Sequence, residues 1–224
     1  MYRTFLALSL STILTAPALA QGWTVGAFGI FGPSHPGSAE DSLTLVPLIQ
    51  YEEGPWTFGG QNIVAYEVGA DEGLSVTSGI GFDLGQDEAG VPEVDFALTA
   101  FLDATYAHPY FQASATATQR VDDDLGLSLD LELVSGLPLG DTTFLALGLS
   151  RTYGDSRLRE MYYGVDSSGL ESTGFSATTI TSLDAQSTLI IGANFDRLSD
   201  DLDSLSFVDD ASSLTLNIGY SYSL

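Results

Sequence analysis

Every second residue of the last strand-like segment is apolar or aromatic: Leu214, Leu216, Ile218, Tyr220, Tyr222 and Leu224. Ser213, Thr215, Asn217, Gly219, Ser221 and Ser223 fill the gaps. Side chains on an extended strand point alternately to opposite faces, so this spacing makes one face wholly apolar and the other small and polar. The same code recurs upstream. Leu127, Leu129, Leu131 and Leu133 alternate with Ser128, Asp130 and Glu132. Leu74, Val76, Ile80, Phe82 and Leu84 form another such series, as do Val94, Phe96, Leu98, Ala100, Leu102 and Tyr106. Leu189, Ile191, Ala193 and Phe195 form a fourth. Beyond the N-terminal leader no segment carries a helical stripe, so an all-β fold is expected.

Two folds use this code. A sandwich buries the apolar faces between sheets; a membrane barrel turns them to lipid. Hydrophobic residues make up 44% of the chain and charged residues only 16%, against about 25% in ordinary soluble domains. Several alternating segments run to about ten residues, the length that crosses a bilayer at a tilt, where globular strands average about 5–6. Trp23, Trp56, Tyr66, Tyr106, Tyr110, Tyr153, Tyr162 and Tyr163 fall near segment ends, where an interfacial girdle lies. A polar face of Ser, Thr, Gly and occasional carboxylates suits a wet lumen and is costly in a dry core. The expectation is a transmembrane antiparallel up-and-down β-barrel of the Gram-negative outer membrane, in contact with its lipid and lipopolysaccharide. Ile218, Tyr220, Tyr222 and Leu224 resemble the terminal insertion signal read by the barrel-assembly machinery. Leu224 stands where Phe is commoner.

Turn signals divide the chain into twelve strands, with ten as the alternative. Even numbers suit bacterial single-chain barrels. The weakest of the twelve spans Arg159 to Asp166, and losing it requires a second segment to be misread. Pro47 falls inside the second strand, where it removes a ladder donor and normally marks an edge or a bulge. Arg3, the apolar stretch Phe5 to Leu14 and Ala16-Pro17-Ala18-Leu19-Ala20 have the order of a cleaved signal peptide. The expected division is therefore residues 1–20 as leader and 21–224 as barrel.

Lys and Arg number 6 against 30 Asp and Glu, so nucleic acid, bound by neutralising phosphates, is excluded as a partner. With Cys 0 there is neither disulfide nor thiolate chemistry. A Ser-His-acid hydrolase needs a base, and the two histidines, His35 and His108, both sit in turn-like Pro-flanked segments. Asp122-Asp123-Asp124 and Asp200-Asp201 with Asp203 lack the spacing of a calcium loop and read as solvated turns, with weak cation bridging to lipopolysaccharide as the lesser reading. No cofactor, metal or catalytic set is expected.

Three segments carry a family resemblance. Tyr162-Tyr163-Gly164-Val165 precedes a Ser/Gly-rich stretch; Phe195-Asp196-Arg197-Leu198 leads into an acidic loop through Asp203-Ser204; and Leu45-Val46-Pro47-Leu48-Ile49-Gln50-Tyr51 has a Pro-x-x-x-Tyr pattern. In this order they resemble the MipA/OmpV family of MltA-interacting proteins, although the proline that commonly follows Asp-Ser is Leu205 here. The resemblance implies Pro47, Tyr51, Tyr163, Gly164, Val165, Arg197, Leu198, Asp203 and Ser204 as family positions. It also implies a non-enzymatic envelope scaffold that links a lytic transglycosylase to a peptidoglycan synthase. The rival expectation is a small cation-favouring pore, with Asp83, Asp95, Asp103, Asp130 and Glu132 on the polar face, or an osmotic or permeability-related channel, as the resemblance also implies. A barrel hydrolase is the third.

Overall fold

In the computed structural model, residues 22–69, 72–87, 90–121 and 126–224 are described. The expected leader, residues 1–20, and the run Asp122-Asp123-Asp124 lie outside the described residues. Twelve antiparallel strands close into a barrel in simple up-and-down order, each pairing with its sequence neighbours and the last with the first. The first six are β1 (Gly22–Pro33), β2 (Asp41–Glu53), β3 (Trp56–Gly59), β4 (Val64–Gly69), β5 (Gly73–Asp83) and β6 (Ala97–His108). Then come β7 (Phe111–Arg120), β8 (Leu127–Pro138), β9 (Thr143–Gly154), β10 (Gly169–Ser182), β11 (Ser187–Leu198) and β12 (Ser212–Ser223). Two short helices, α1 (Ser156–Tyr163) and α2 (Asp200–Asp203), sit in loops. Among the described residues no helix is long and apolar enough to cross a membrane; the crossing elements are strands.

The alternation decides which way each face looks. Leu43, Leu45, Leu102, Leu133, Leu149, Ile191, Leu214, Leu216 and Ile218 are exposed on the outer wall. Thr99, Thr105, Thr178, Asn217 and Ser221 are buried on the inner one. Closure pairs the strands on both sides, which is how a β-structure satisfies its backbone in lipid, except along the part of β2 beyond Gln50 that β3 does not reach. The seam is β12 against β1, from Thr24 opposite Ser223 to Phe31 opposite Leu216. The lumen is not uniformly polar. Phe28, Ile30 and Ile190 form a buried apolar cluster with Leu48 against it, and the Phe28 ring lies over Gly219, where a Cβ would collide with it.

The end where β1 begins and β12 stops has short connections (54–55, 109–110, 139–142, 183–186), while the other has the long ones (34–40, 84–96, 155–168, 199–211). Short turns mark the periplasmic side of bacterial barrels, so the long loops face outward. Aromatic pairs ring the turn end: Trp23 with Tyr51 at 5.0 Å, Trp56 with Tyr66 at 4.7 Å and Tyr106 with Phe111 at 6.3 Å between ring centroids.

The expected count of twelve holds, but two of its segments were misassigned in compensating ways. The expected strand at 159–166 is the end of α1 and the loop after it. The turn signals Glu52-Glu53-Gly54-Pro55 and Gly69 to Gly73 predict a single strand across residues 56–68, which is two, β3 and β4, reversed at Gly59-Gly60 with φ of 83° and 70°, a region open to glycine. A Cβ on Gly59 would collide with the Ile49 carbonyl. The expected absence of any helix is corrected by α1, whose two turns are too few to print a stripe. β6 begins at Ala97, so Asp95 belongs to the β5–β6 loop rather than to the inner wall.

Candidate functional site

The loop end of the lumen is crossed by α1. Asp155 caps it, accepting from the Leu158 N–H at 2.8 Å. Gly164 ends it in the left-handed region at φ 70°. There the Gly164 N–H donates to the Glu160 carbonyl at 2.8 Å and the Val165 N–H to the Arg159 carbonyl at 3.2 Å. A left-handed glycine is the usual way to satisfy the last carbonyls of a helix. Leu158 and Tyr162, one turn apart, bury one face against Val94 of the β5–β6 loop. Gly126 lets Leu158 approach the β7–β8 side, where a Cβ would lie 2.9 Å from its Cδ1.

Two buried arginines tie the helix to opposite parts of the wall. On the β5–β7 side, Arg120 is 3% exposed and donates to Asp83 at 2.6 Å, to the Tyr162 hydroxyl at 3.3 Å and to the Asp95 carbonyl at 3.1 Å. The Tyr162 hydroxyl itself donates to Asp83, and Gln86 Nε2 donates to the Tyr162 carbonyl at 3.0 Å. On the other side Arg159, 1% exposed, pairs with Asp201 of α2 and donates to the Ser167 carbonyl at 2.8 Å. Burial, reinforced by the Asp83 charge, raises the Tyr162 phenol far above its ordinary value. Tyr163 is raised mainly by burial, with Glu171 adding to it. Hydrogen bonds from Ser199 and Arg159 hold Asp201 below the usual carboxylate range.

The family-motif positions fall into this arrangement unevenly. Gly164 and Val165 form the end of α1, with Tyr163 the residue before. Leu198 is buried at the end of β11; Asp203 closes α2, and the Ser204 hydroxyl donates to the Asp201 carbonyl at 2.9 Å. The Arg159–Asp201 pair therefore joins α1, whose end carries one motif segment, to the acidic loop that carries another. Arg197 stays outside the node, exposed on the rim, 3.8 Å from Asp200. Pro47 and Tyr51 are remote from the mouth: both face outward on β2, with Tyr51 in the turn-end girdle. Of the terminal strand, Ile218, Tyr220 and Leu224 are exposed on the outer wall. The Tyr220 hydroxyl donates to Ser187 at 3.1 Å and that of Tyr222 to Gln186 at 2.9 Å.

Sequence reasoning missed the two key cations. Arg120 and Arg159 stand in no motif; the available signal was that a chain with six basic residues placed two of them beside strand ends. Of the acids expected inside, Asp83 is engaged by Arg120. Asp103 accepts from Thr105 and Thr116, each at 2.7 Å, and Asp130 accepts from Thr152 at 2.7 Å. His35, in the β1–β2 loop, and His108, beside the 109–110 turn, lie at opposite ends of the barrel. His108 accepts from the Tyr110 N–H at 3.3 Å.

A closed twelve-strand barrel with an apolar outer belt, a largely polar lumen and a loop helix across its mouth is an outer-membrane β-barrel protein. Two solved structures share the fold. The NanC porin superposes with a TM-score of 0.53 at 12% identity, covering 89% of this chain and 100% of its own. An outer-membrane channel from Pseudomonas putida F1 gives 0.53 at 12%, covering 92% and 97%. No curated protein sequence matches the chain. The model of the MltA-interacting protein MipA family matches residues 25–224, and the chain belongs to that family.

Proposed function

We propose that the protein is a non-enzymatic scaffold of the cell envelope, anchored by its barrel and engaging a murein-remodelling enzyme at its periplasmic face. The family description names MltA as the interacting partner; a lytic transglycosylase and a peptidoglycan synthase as the two enzymes linked follow from the resemblance described above. The observation that carries the reading is the mouth. A helix strapped by two buried arginines is built to stay, which suits an anchor better than a standing pore. The turn end offers a surface for a partner: Tyr110, Leu139 and Leu183 are exposed at turn tips, among Glu52, Glu53, Asp141 and Asp184. Apolar contacts ringed by carboxylates fit a basic partner. Co-purification from native membranes tests this. The transglycosylase should be retained by the wild type and lost from a Tyr110→Ser/Leu139→Ser/Leu183→Ser variant that still folds; wild-type protein that retains no murein enzyme refutes the proposal.

A second reading, a cation-favouring route through the lumen, is supported by Asp103, Asp130, Glu132 and Asp196 on the inner face of the wall. Planar-bilayer recording separates the two. The scaffold reading expects negligible conductance from the wild type, and the channel reading expects steady cation-selective current.

A further inference from the structure

Two strands of the wall are too short to reach the loop end. β3 pairs with β2 only from Glu53 to Gln50, and β4 pairs with β5 only as far as Val64 opposite Ile80. β2 continues upward from Gln50 to Leu43 and Asp41, held on one side by β1 alone, and β5 continues to Asp83. Among the described residues no strand stands between them above the Gly59–Ile63 turn. On the β2 side the missing height, from Gln50 to Leu43, is about 18 Å at ~3.3 Å per residue and ~40° of tilt, and on the β5 side, from Ile80 to Asp83, about 8 Å, within an apolar band ~25 Å tall. At its floor the gap is three strand spacings wide, or about 14 Å. With the long loops outward, it opens at the depth of the outer leaflet.

The Ile49 carbonyl accepts from the Gly60 N–H at 2.9 Å, so the odd-numbered residues of β2 aim their backbone groups away from β1. Leu43, Leu45 and Pro47 therefore direct theirs into the gap. Pro47 brings no N–H, which removes one donor from that edge. Backbone without strand partners is tolerated at membrane depth only where it is buried in protein or lines a water-filled cavity.

Where they are described, the neighbouring loops are tied away from the opening. Loop 34–40 leans toward β12, with the N–H groups of Asp209 and Asp210 donating to the Gly37 carbonyl at 2.8 and 3.2 Å. The described residues of loop 84–96 are drawn inward, by Gln86 to the Tyr162 carbonyl and by Arg120 to the Asp95 carbonyl. Behind the opening, Leu48 on the inner face of β2 adjoins the apolar cluster of Phe28, Ile30 and Ile190. Val46, whose register is also inward, is 38% exposed. The axial route is crossed by α1, while this lateral one leads to an apolar patch inside an acidic lumen.

We propose that the gap between β2 and β5 is a lateral opening through which a small molecule with an apolar body and a neutral or cationic head passes between the outer leaflet and the lumen, meeting Leu48 first. Carboxylates of Asp103, Asp130, Glu132 and Asp196 disfavour an anionic head. The proposal does not require the scaffold reading, since it involves no envelope partner.

The chain has no cysteine, so a single Leu48→Cys thiol in lipid vesicles reports access. N-dodecylmaleimide, dissolved in the bilayer, should alkylate it at least tenfold faster than a sulfonated maleimide supplied in the water, with rates referred to the lipid-facing control Leu216→Cys. Filling the opening with Val46→Trp/Ile63→Trp should slow the dodecyl reagent at least tenfold. Dodecyltrimethylammonium should protect the thiol at lower concentration than laurate does. Equal rates for the two reagents, no alkylation of Leu48→Cys, or a rate unchanged by the two tryptophans overturns the proposal; protection favouring laurate overturns the assigned head-group charge. Heat-modifiable gel mobility checks each variant for folding. If the double variant does not assemble, the comparison of the two reagents on Leu48→Cys alone decides.

Discussion

Replacing Arg120 by methionine keeps most of the side-chain volume and removes the charge that holds Asp83. Arg120 is 3% exposed and Asp83 14%, so the carboxylate is left in a largely dry site with the Tyr162 hydroxyl and the Gly85 N–H as its remaining donors. Deleting one partner of a buried ion pair costs about 3–5 kcal/mol. The retained hydroxyl and the slight solvent contact of Asp83 place this case near the lower end, about 3 kcal/mol. At 1.4 kcal/mol per tenfold, the population of detached α1 should rise by about two orders of magnitude. The loss should stay local, because the β-ladders on either side do not depend on Arg120. Hydrogen exchange in lipid nanodiscs reads this at the Leu158, Gly164 and Val165 amides, which donate to Asp155, Glu160 and Arg159. Their exchange should accelerate about a hundredfold while β8 and β9 amides keep their rates. Arg120→Lys, which restores a point charge without the second arm to the Asp95 carbonyl, should give an intermediate value near tenfold. Acceleration below threefold at α1, or equal acceleration in the strands, refutes the idea that Arg120 straps the helix.

Tyr162 and Tyr163 are raised above the unfolded value of about 10. Their contribution is therefore complete below that value and is lost as the pH rises toward the folded pKa. Absorbance titration near 295 nm should show two tyrosines fewer than in the unfolded chain until the cap detaches. Asp201 is shifted the other way, so its hold on Arg159 is present above about 3.9 and is lost as the pH falls through its lower folded value; α1 exchange should stay slow to about pH 4 and rise below it. Pro47→Ala should leave heat-modifiable mobility unchanged, whereas Ala115→Pro, in a strand paired on both sides, should abolish assembly, as scored by outer-membrane fractionation. Gly219→Ala should drive the Phe28 ring from its place in the lumen and cost about 1–3 kcal/mol in urea unfolding.

The wall was legible because one period governs it. Leu214 to Leu224, or Leu127 to Leu133, states its two faces locally, and the pairing register then follows for every strand long enough to print the pattern. β3, with four residues, is too short to print it and was absorbed into its neighbour. α1 was missed for a similar reason: eight residues give two turns, and its pairing of Leu158 with Tyr162 is indistinguishable from chance in a loop. Pro47 was the useful anomaly. In the sequence it marks an edge, and the structure supplies that edge as the stretch of β2 that β3 does not reach.

The sequence by itself determined an outward apolar belt, an inward polar face and the family, because each is a property of neighbouring residues or of their spacing; the count of twelve held only because two misplaced strands cancelled. The tertiary structure alone decided that Arg120 meets Asp83 and Tyr162, and that Arg159 meets Asp201 across 42 residues. It also decided that the wall is incomplete between β2 and β5. These depend on how far around the closed ring each loop is carried, and barrel closure sets that distance, which no local period records.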